Sequence, residues 1–576
     1  MASPRFPEAP PSMPATPLAE CDAVVARLKK KSLEWPSVGI ARRRELLEAC
    51  TAPLLAIADE WVSAGCRAKG YEPGSIGEGE EWVGGPMILA RGITLLSKSL
   101  AQGGQPKMPG LRQRPNGQWA ADVFPGSWQD KLMFTGFRAE IRVKPGEEPT
   151  QGHIYREKAA GRPSKPCVSL VLGAGNVSSI GPLDTFQKLF VEDEVVVLKM
   201  NPVNEYLGPF VSKALAPLIE EGLLELVYGG AEVGAHLCQH PDVGSVHITG
   251  SERTHDCIVW GLGDEEQQRR KAADDPVLNK PITSELGCVT PVVVVPGPWS
   301  PADLKFQARN VASMVTQNAS FNCNAAKILV VSKDWPQRGA FLTELKGALS
   351  RTPSRKAYYP GAQDRYDGFL EHYPQAEALG ERVPKTEEDA AGIVPWTVID
   401  GVPAETGEYA LTNEAFCGVI AVVDLPGTNG TSFLENAVPF CNDVAWGTLS
   451  AGIIVHPDTE KAHGTALENA IDEMRYGAVG VNVWPALAYG LAVTAWGAYP
   501  GHPLSDIRSG IGTVHNTYML DHPEKSVVRA PFRIRPTPAW FGDHRNLAEL
   551  GRRITYYEAN PTITRLPGVI MAALKG

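Results

Sequence analysis

The sequence predicts an α/β fold built on a parallel sheet with right-handed crossovers. Two observations carry that prediction. Short apolar runs alternate with helix-like stretches through the middle of the chain, and these runs end in glycine, asparagine, lysine or serine. Strands alternating with helices imply parallel pairing, and ligands then bind beyond the carboxyl ends of the strands.

Composition bounds the reading. A chain of 576 residues is long enough for two to four domains, and 43% hydrophobic with 21% charged residues describes a globular protein. A net charge of -10 and a pI near 5.7 argue against a nucleic-acid binder, which needs clustered positive charge. No apolar segment approaches the roughly 20 residues that span a bilayer. Ten scattered cysteines without a CxxC pair describe neither a disulfide framework nor a zinc site, so they read as reduced thiols. Residues 1–19 are rich in proline and lack the charged-then-apolar order of a signal peptide, and they are expected to form a disordered tail on a cytoplasmic protein.

From Cys21 to Leu100 apolar residues recur at helical spacing, as in Val24, Val25, Leu28 and Leu46, Leu47, Leu54. The basic clusters Lys29–Lys31 and Arg42–Arg44 on these helices read as solvated faces. After a Pro/Gly-rich linker, Trp119 to Val143 reads as strands, because Phe137, Ala139, Ile141 and Val143 alternate with charged residues. Next come four apolar runs: Val168–Leu172 before Asn176, Val195–Leu198 before Lys199, Leu224–Tyr228, and Val243–Ile248 before Thr249-Gly250-Ser251. Leu183–Phe190 and Tyr206–Glu221 are the helix-like stretches among them. A strand at Pro291–Val295 follows Glu285-Leu-Gly287, and a helix at Leu304–Val315 precedes a strand at Ile328–Val331. Lys346 to Gly407 is polar and irregular, which suggests an insertion-rich surface region. Apolar patterns resume at Gly418–Val423, Ala451–Val455 and Val479–Asn482, with no internal repeat.

Asn318 to Cys323 places one cysteine on a turn entering a buried strand, where a thiolate has both access and a fixed angle of attack. Free cysteine is nevertheless among the most buried residue types, so alone Cys323 reads as packing. By the same standard Asn176 alone reads as a turn cap, Glu285 as an ion-pair partner and Ser251 as a helix N-cap.

The ordered set changes these readings. Asn176, Lys199, Thr249-Gly-Ser251, Glu285-Leu-Gly287, the Asn318-to-Cys323 turn, Glu414-Ala-Phe416 and Gly480-Val-Asn482 follow one another as they do in the aldehyde dehydrogenase superfamily, which the chain resembles from about Ala41 to Ala530. The resemblance implies a Rossmann-type cofactor domain, an α/β catalytic domain and a small β oligomerisation element. It implies divisions at 20–118 and 161–286 for the NAD(P)-binding domain, 287–500 for the catalytic domain, 119–160 and 513–532 for the strands that bridge subunits, and 533–576 for a C-terminal extension. Cys323 would be the nucleophile that forms a thiohemiacetal and then a thioester, Glu285 the general base, and Asn176 a donor to the alkoxide, alongside the backbone N–H of Cys323. Lys199, Gly250, Ser251, Glu414 and Phe416 would hold NAD or NADP, with a slight preference for NAD. A homodimer or homotetramer is implied, and no metal.

Several positions depart from the family's pattern. Ala174-Gly-Asn176 replaces the usual Pro-Trp-Asn, and Glu285-Leu-Gly-Cys288-Val289 replaces Glu-Leu-Gly-Gly-Lys, which suggests an outlying branch with a differently shaped tunnel. Pro202 stands where NAD-preferring members often carry a glutamate, so nothing there repels the 2′-phosphate of NADP. His255 replaces a family glycine and is expected to be a packing or surface residue. For the C-terminal extension, covering a subunit interface is the first expectation and lining a substrate tunnel the second; touching a membrane surface is the third, and Pro567 and Gly568 in the short stretch Leu566–Leu574 make a poor membrane helix. The implied function is oxidation of an aldehyde to a carboxylic acid. The alternatives are an acylating, coenzyme A-dependent dehydrogenase or acyl-CoA reductase, and a non-catalytic binding protein that keeps the fold.

Overall fold

The structure, a computed structural model, describes residues 13–380 and 392–576. Two sheets organise them. The smaller has six strands in the order Gly510–Ile511, Ile282–Leu286, Ser245–Gly250, Val168–Leu172, Val195–Lys199, Leu224–Val227. All its pairings are parallel except that of the two-residue strand Gly510–Ile511. Its strands are apolar on both faces because helices cover both sides, as parallel sheets require. Helices Leu18–Ser32, Ile40–Ala49, Thr51–Lys69 and Ile88–Ala101 contribute to the same core as these strands.

The larger sheet has eleven strands. Seven run parallel: Pro523–Arg529, Ala478–Val481, Ser450–Ile454, Pro291–Val294, Ile328–Ser332, Val419–Leu425 and Trp396–Val402. Trp119–Phe124 and Arg138–Val143 continue it antiparallel from Pro523–Arg529. These are the strands expected to bridge subunits, and they complete the sheet of their own chain. The outermost strands, Arg112–Gln113 and Glu377–Leu379, are short, which leaves little edge for a further strand.

Differences from the sequence reading have local causes. The helix expected over Tyr206–Glu221 is three short pieces, because Pro209 and Pro217 each open a new one. The region expected to be irregular surface contains helix Ala362–His372 and strand Trp396–Val402, four of whose residues are fully or almost fully buried. Part of that region, residues 381–391, lies outside the described residues, as do residues 1–12 of the expected tail. The rest of that tail is tied down: Thr16 exchanges hydrogen bonds with the backbone of Tyr228, and the first helix starts at Leu18. Arg42 and Arg44 are exposed on their helix as expected, but Arg43 is fully buried. It pairs with Asp193 at 2.6 Å and stacks on Trp35, so the basic cluster is not one solvated face. Among the described residues no helix is long and apolar enough to cross a membrane.

Candidate active site

The nucleophile turn is shaped by its backbone. Helix Pro301–Thr316 ends, and Asn318, Ala319 and Ser320 then adopt φ of 53°, 54° and 70°, a left-handed conformation that non-glycine residues hold only when their surroundings enforce it. The surroundings here are polar and buried. The Asn318 N–H donates to Glu80 at 3.0 Å, and the Lys69 ammonium donates to Glu81 (2.6 Å), to the Asn318 side chain (3.1 Å) and to the Asn176 carbonyl (3.2 Å). That carbonyl also accepts from Tyr358 at 3.1 Å and from the Asn318 amide at 3.2 Å. One network therefore fixes Asn176 and the Cys323 turn together. The Asn176 amide donates to the Phe321 carbonyl at 3.0 Å, which orients it beside Cys323 with its second N–H uncommitted. The Cys323 backbone N–H has no partner among the described residues.

Glu285 ends strand Ile282–Leu286, is fully buried, and leaves one carboxylate oxygen without a partner. It lines one cavity with Cys323 and Trp496, both of which favour its charged form, yet burial pushes its carboxyl up to about 8, assisted by the nearby charges of Asp184 and Glu414. The Cys323 thiol is pushed well above its ordinary value by burial and then by Glu285, while Lys327 pulls it back. Glu285 thus opposes ionisation of Cys323, whereas Cys323 favours the charged form of Glu285 against the larger effect of burial. Strongly shifted groups paired in a cleft are a mark of functional sites.

Two cavities meet at these residues. One, of about 860 Å³, is lined by Lys199, Gly250, Ser251, Glu414 and Phe416 at the strand ends of the smaller sheet, together with Asn176, Glu285 and Cys323. All eight candidate residues therefore converge. Ser251 also caps its helix by accepting from the Thr254 N–H at 3.2 Å, so the two readings of that residue coexist. Burial lowers the pKa of Lys199. Glu414 is held by Lys327 at 3.0 Å, and a Cβ on Gly287 would lie 1.9 Å from a Glu414 oxygen, so glycine there leaves room for the carboxylate. Phe416 packs edge-on against Tyr359, which lines the same cavity. His255 is fully buried and lies 3.4 Å from Asp256, a packing residue as expected.

The second cavity, of about 680 Å³, shares Asn176, Ile180, Glu285 and Cys323 with the first and runs to the other side. Its far wall comes from helices Leu547–Ala559 and Leu566–Ala573. The C-terminal extension therefore lines a cavity within its own chain.

The model of the aldehyde dehydrogenase family matches residues 194–497, more than half of the chain. This chain belongs to that family. It is 32% identical over 269 residues to human 4-trimethylaminobutyraldehyde dehydrogenase, covering 43% of this chain and 48% of that protein. The rat protein of the same name is 28% identical over 282 residues, covering 46% and 50%. The chain spans about half the length of the curated relatives it matches. The family fold extends further: NAD-dependent aldehyde dehydrogenase from Sinorhizobium meliloti superposes with a TM-score of 0.60 at 19% identity over 91% of this chain and 89% of that one. NADP-dependent glyceraldehyde-3-phosphate dehydrogenase from Bacillus halodurans C-125, complexed with NADP, gives 0.59 at 17% identity over 90% and 92%.

Sequence reasoning missed the support of this family site. Lys69, Glu80, Lys327 and Tyr358 touch Asn176, Glu414 or the Cys323 turn, Glu81 holds Lys69, and no motif marks any of them. An apolar-to-charged switch near the end of a helix is the only local signal for Lys69. The two C-terminal helices had a stronger one, since Leu547, Leu550 and Ile554 fall on one helical face.

Proposed function

We propose that this chain oxidises an aldehyde to a carboxylic acid with NAD or NADP, through a thioester on Cys323. The observation that carries this reading is the position of Asn176, Glu285 and Cys323 at the junction of two cavities, one lined by candidate cofactor residues and the other largely apolar. Glu285 lines both cavities with Cys323 and, in its ionised form, takes the thiol proton. The sulfur then adds to the aldehyde carbonyl, and the oxygen that becomes an alkoxide meets the uncommitted N–H of Asn176 and the free backbone N–H of Cys323. When bound, NAD(P) supplies the hydride acceptor whose action leaves a thioester on the sulfur. Having released the thiol proton to solvent, Glu285 next removes a proton from the water that adds to this thioester, and it returns that proton to the departing sulfur as the acid product leaves, which restores the thiol.

The cofactor cavity suits a dinucleotide in volume and in its lining. Lys199 and Glu414 offer a donor and an acceptor for ribose hydroxyls, Gly250 and Ser251 lie at a helix start suited to pyrophosphate, and Phe416 offers a flat apolar face. Pro202 lines the same cavity, so NAD and NADP both remain compatible with the reading, with NAD preferred slightly. The substrate in the relatives' name, 4-trimethylaminobutyraldehyde, carries a fixed positive charge. It suits this chain poorly, because two carboxylates of the second cavity are already paired, Glu80 with Arg355 and Glu558 with Arg91. A homodimer or homotetramer is the expected assembly, with the strands Trp119–Phe124 and Arg138–Val143 paired along their length within the chain; sedimentation equilibrium reads the state directly.

The test follows nicotinamide absorbance with an aldehyde panel, both cofactors, and coenzyme A present or absent. Turnover without coenzyme A is expected, and Cys323→Ala abolishes it while leaving cofactor binding intact. Strict dependence on coenzyme A would establish the acylating alternative instead. Equal inactivity of the wild type and the alanine variant, with cofactor bound, would establish the binding-protein reading.

A further inference from the structure

The second cavity is a passage with an apolar wall and neutralised charges. The first C-terminal helix, Leu547–Ala559, turns Leu547, Leu550 and Ile554 onto it, and the second, Leu566–Ala573, turns Val569, Ile570 and Ala573. Met133, Phe134 and Phe137 face them from the end of the short helix Trp128–Met133 and the turn after it, and Met87, Ile88 and Leu487 continue the lining toward Cys323. The opposite end opens to solvent, because Leu132 and Leu574, both lining residues, are 51% and 62% exposed.

The charged side chains in the passage are mostly occupied. Arg91 reaches both oxygens of Glu558 at 2.9 Å, Glu80 lies 2.5 Å from Arg355, and Arg533 lies 2.5 Å from Asp303. Arg535 is exposed and has no partner among the described residues, so the one free charge besides the catalytic carboxyl is at the solvent end. A charged substrate tail would lose its hydration without gaining a partner, whereas an apolar tail gains contact along the whole wall.

The wall is also a fixed part of the molecule. A Cβ on Gly79 would come within 2.4 Å of the Leu547 side chain, and one on Gly551 within 2.7 Å of Trp82, so the first C-terminal helix lies directly on helix Ile76–Trp82 through paired glycines. The buried Arg91–Glu558 pair and a 2.7 Å bond from Thr94 to the Glu558 carbonyl tie its end to helix Ile88–Ala101.

We propose that this passage is a tunnel for a long, uncharged apolar chain, that the aldehyde oxidised at Cys323 bears such a chain, and that the C-terminal helices are the specificity-determining wall. The substrate claim rests on the reading of Cys323 as the aldehyde-attacking thiol; the tunnel itself does not. The test uses the full chain with straight-chain aldehydes from propanal to hexadecanal and a short aldehyde bearing a quaternary ammonium group. The expected kcat/KM rises with length, by up to about fourfold for each methylene that enters the tunnel, and is lowest for the cation. Ala573→Trp and Ile554→Trp each put an indole into the passage and are expected to lower the dodecanal-to-propanal ratio of kcat/KM about tenfold. Fluorescence titration with 1,6-diphenylhexatriene, a long uncharged apolar probe that needs no turnover, is expected to show binding that both variants weaken. A flat or falling length profile, a preference for the ammonium aldehyde, or probe binding unaffected by either variant overturns the proposal. Probe binding that the variants weaken, without turnover of any aldehyde, upholds the tunnel and shows that the oxidation reading is what fails.

Discussion

Replacing Glu285 by glutamine separates the two chemical halves of the proposed reaction. The carboxyl is buried beside Asp184 and Glu414 and is pushed up to about 8, so at pH 7 only about a tenth of the sites carry the base in its ionised form. Hydrolysis of the thioester is therefore expected to accelerate about tenfold between pH 7 and pH 9 and then level off. Glutamine keeps the shape and removes the titration, so the variant's steady-state rate should fall about 10²–10⁴-fold and lose that pH dependence. Stopped-flow nicotinamide absorbance reads both halves: a burst of one equivalent per site reports attack by Cys323, and the slower phase reports hydrolysis. A stability measurement provides a check independent of activity. Below the ordinary pKa of 4.5 both the folded and unfolded states hold the proton; between 4.5 and about 8 only the folded state keeps it, so wild-type stability falls as pH rises through that window. The glutamine variant escapes this loss, and its Tm should exceed that of the wild type by a margin that widens from pH 5 to pH 8. A steady-state rate within a few-fold of wild type, or a Tm gap that does not change with pH, would refute the assignment.

Further expectations follow from the same contacts. Asn176→Ala removes one of the two donors proposed for the developing alkoxide and should lower kcat about 10²–10³-fold, with the dissociation constant for cofactor unchanged by titration calorimetry. Lys69→Met leaves Glu81 buried without a counter-charge and should cost about 3–5 kcal/mol in chemical denaturation. The double variant Lys69→Met/Glu81→Leu should recover much of that stability without recovering kcat, because the hold on the Asn176 carbonyl is still missing; recovery of both would make the pair purely structural. Gly551→Ala drives a Cβ against Trp82 and should destabilise the chain by about 1–3 kcal/mol, with the loss of turnover larger for long aldehydes than for propanal.

Much of the parallel architecture can be read in the sequence because strands covered on both faces are written as unbroken apolar runs. Val168–Leu172, Val195–Lys199 and Ile328–Ser332 stand within a residue of their expected bounds for that reason. Trp396–Val402 was hidden because its apolar core is only four residues long and sits inside a polar surrounding. The candidate site residues lie at the ends of such runs or on turns next to them, where main-chain direction leaves a side chain facing the cleft. Their support is scattered over more than 280 positions from Lys69 to Tyr358, and a lysine or glutamate buried by distant packing looks in sequence like any charged residue of a helix.

The sequence by itself determined the strand order along the chain, the cysteine on its turn and the set of groups proposed to act with it, because those features are local or depend only on the order of motifs. Only the tertiary structure decided how those groups are tuned and what they face. Glu285 and Cys323 both favour their neutral forms because burial and neighbouring carboxylates, neither of which is written locally, penalise their charges. The strands expected to bridge subunits complete their own sheet because Pro523–Arg529 finds Ala478–Val481 in the same chain, a pairing of segments about 45 residues apart that no periodicity specifies. The C-terminal helices became a tunnel wall because Gly79 and Gly551 let two helices approach closely across some 470 residues of sequence, a matter of shape rather than pattern.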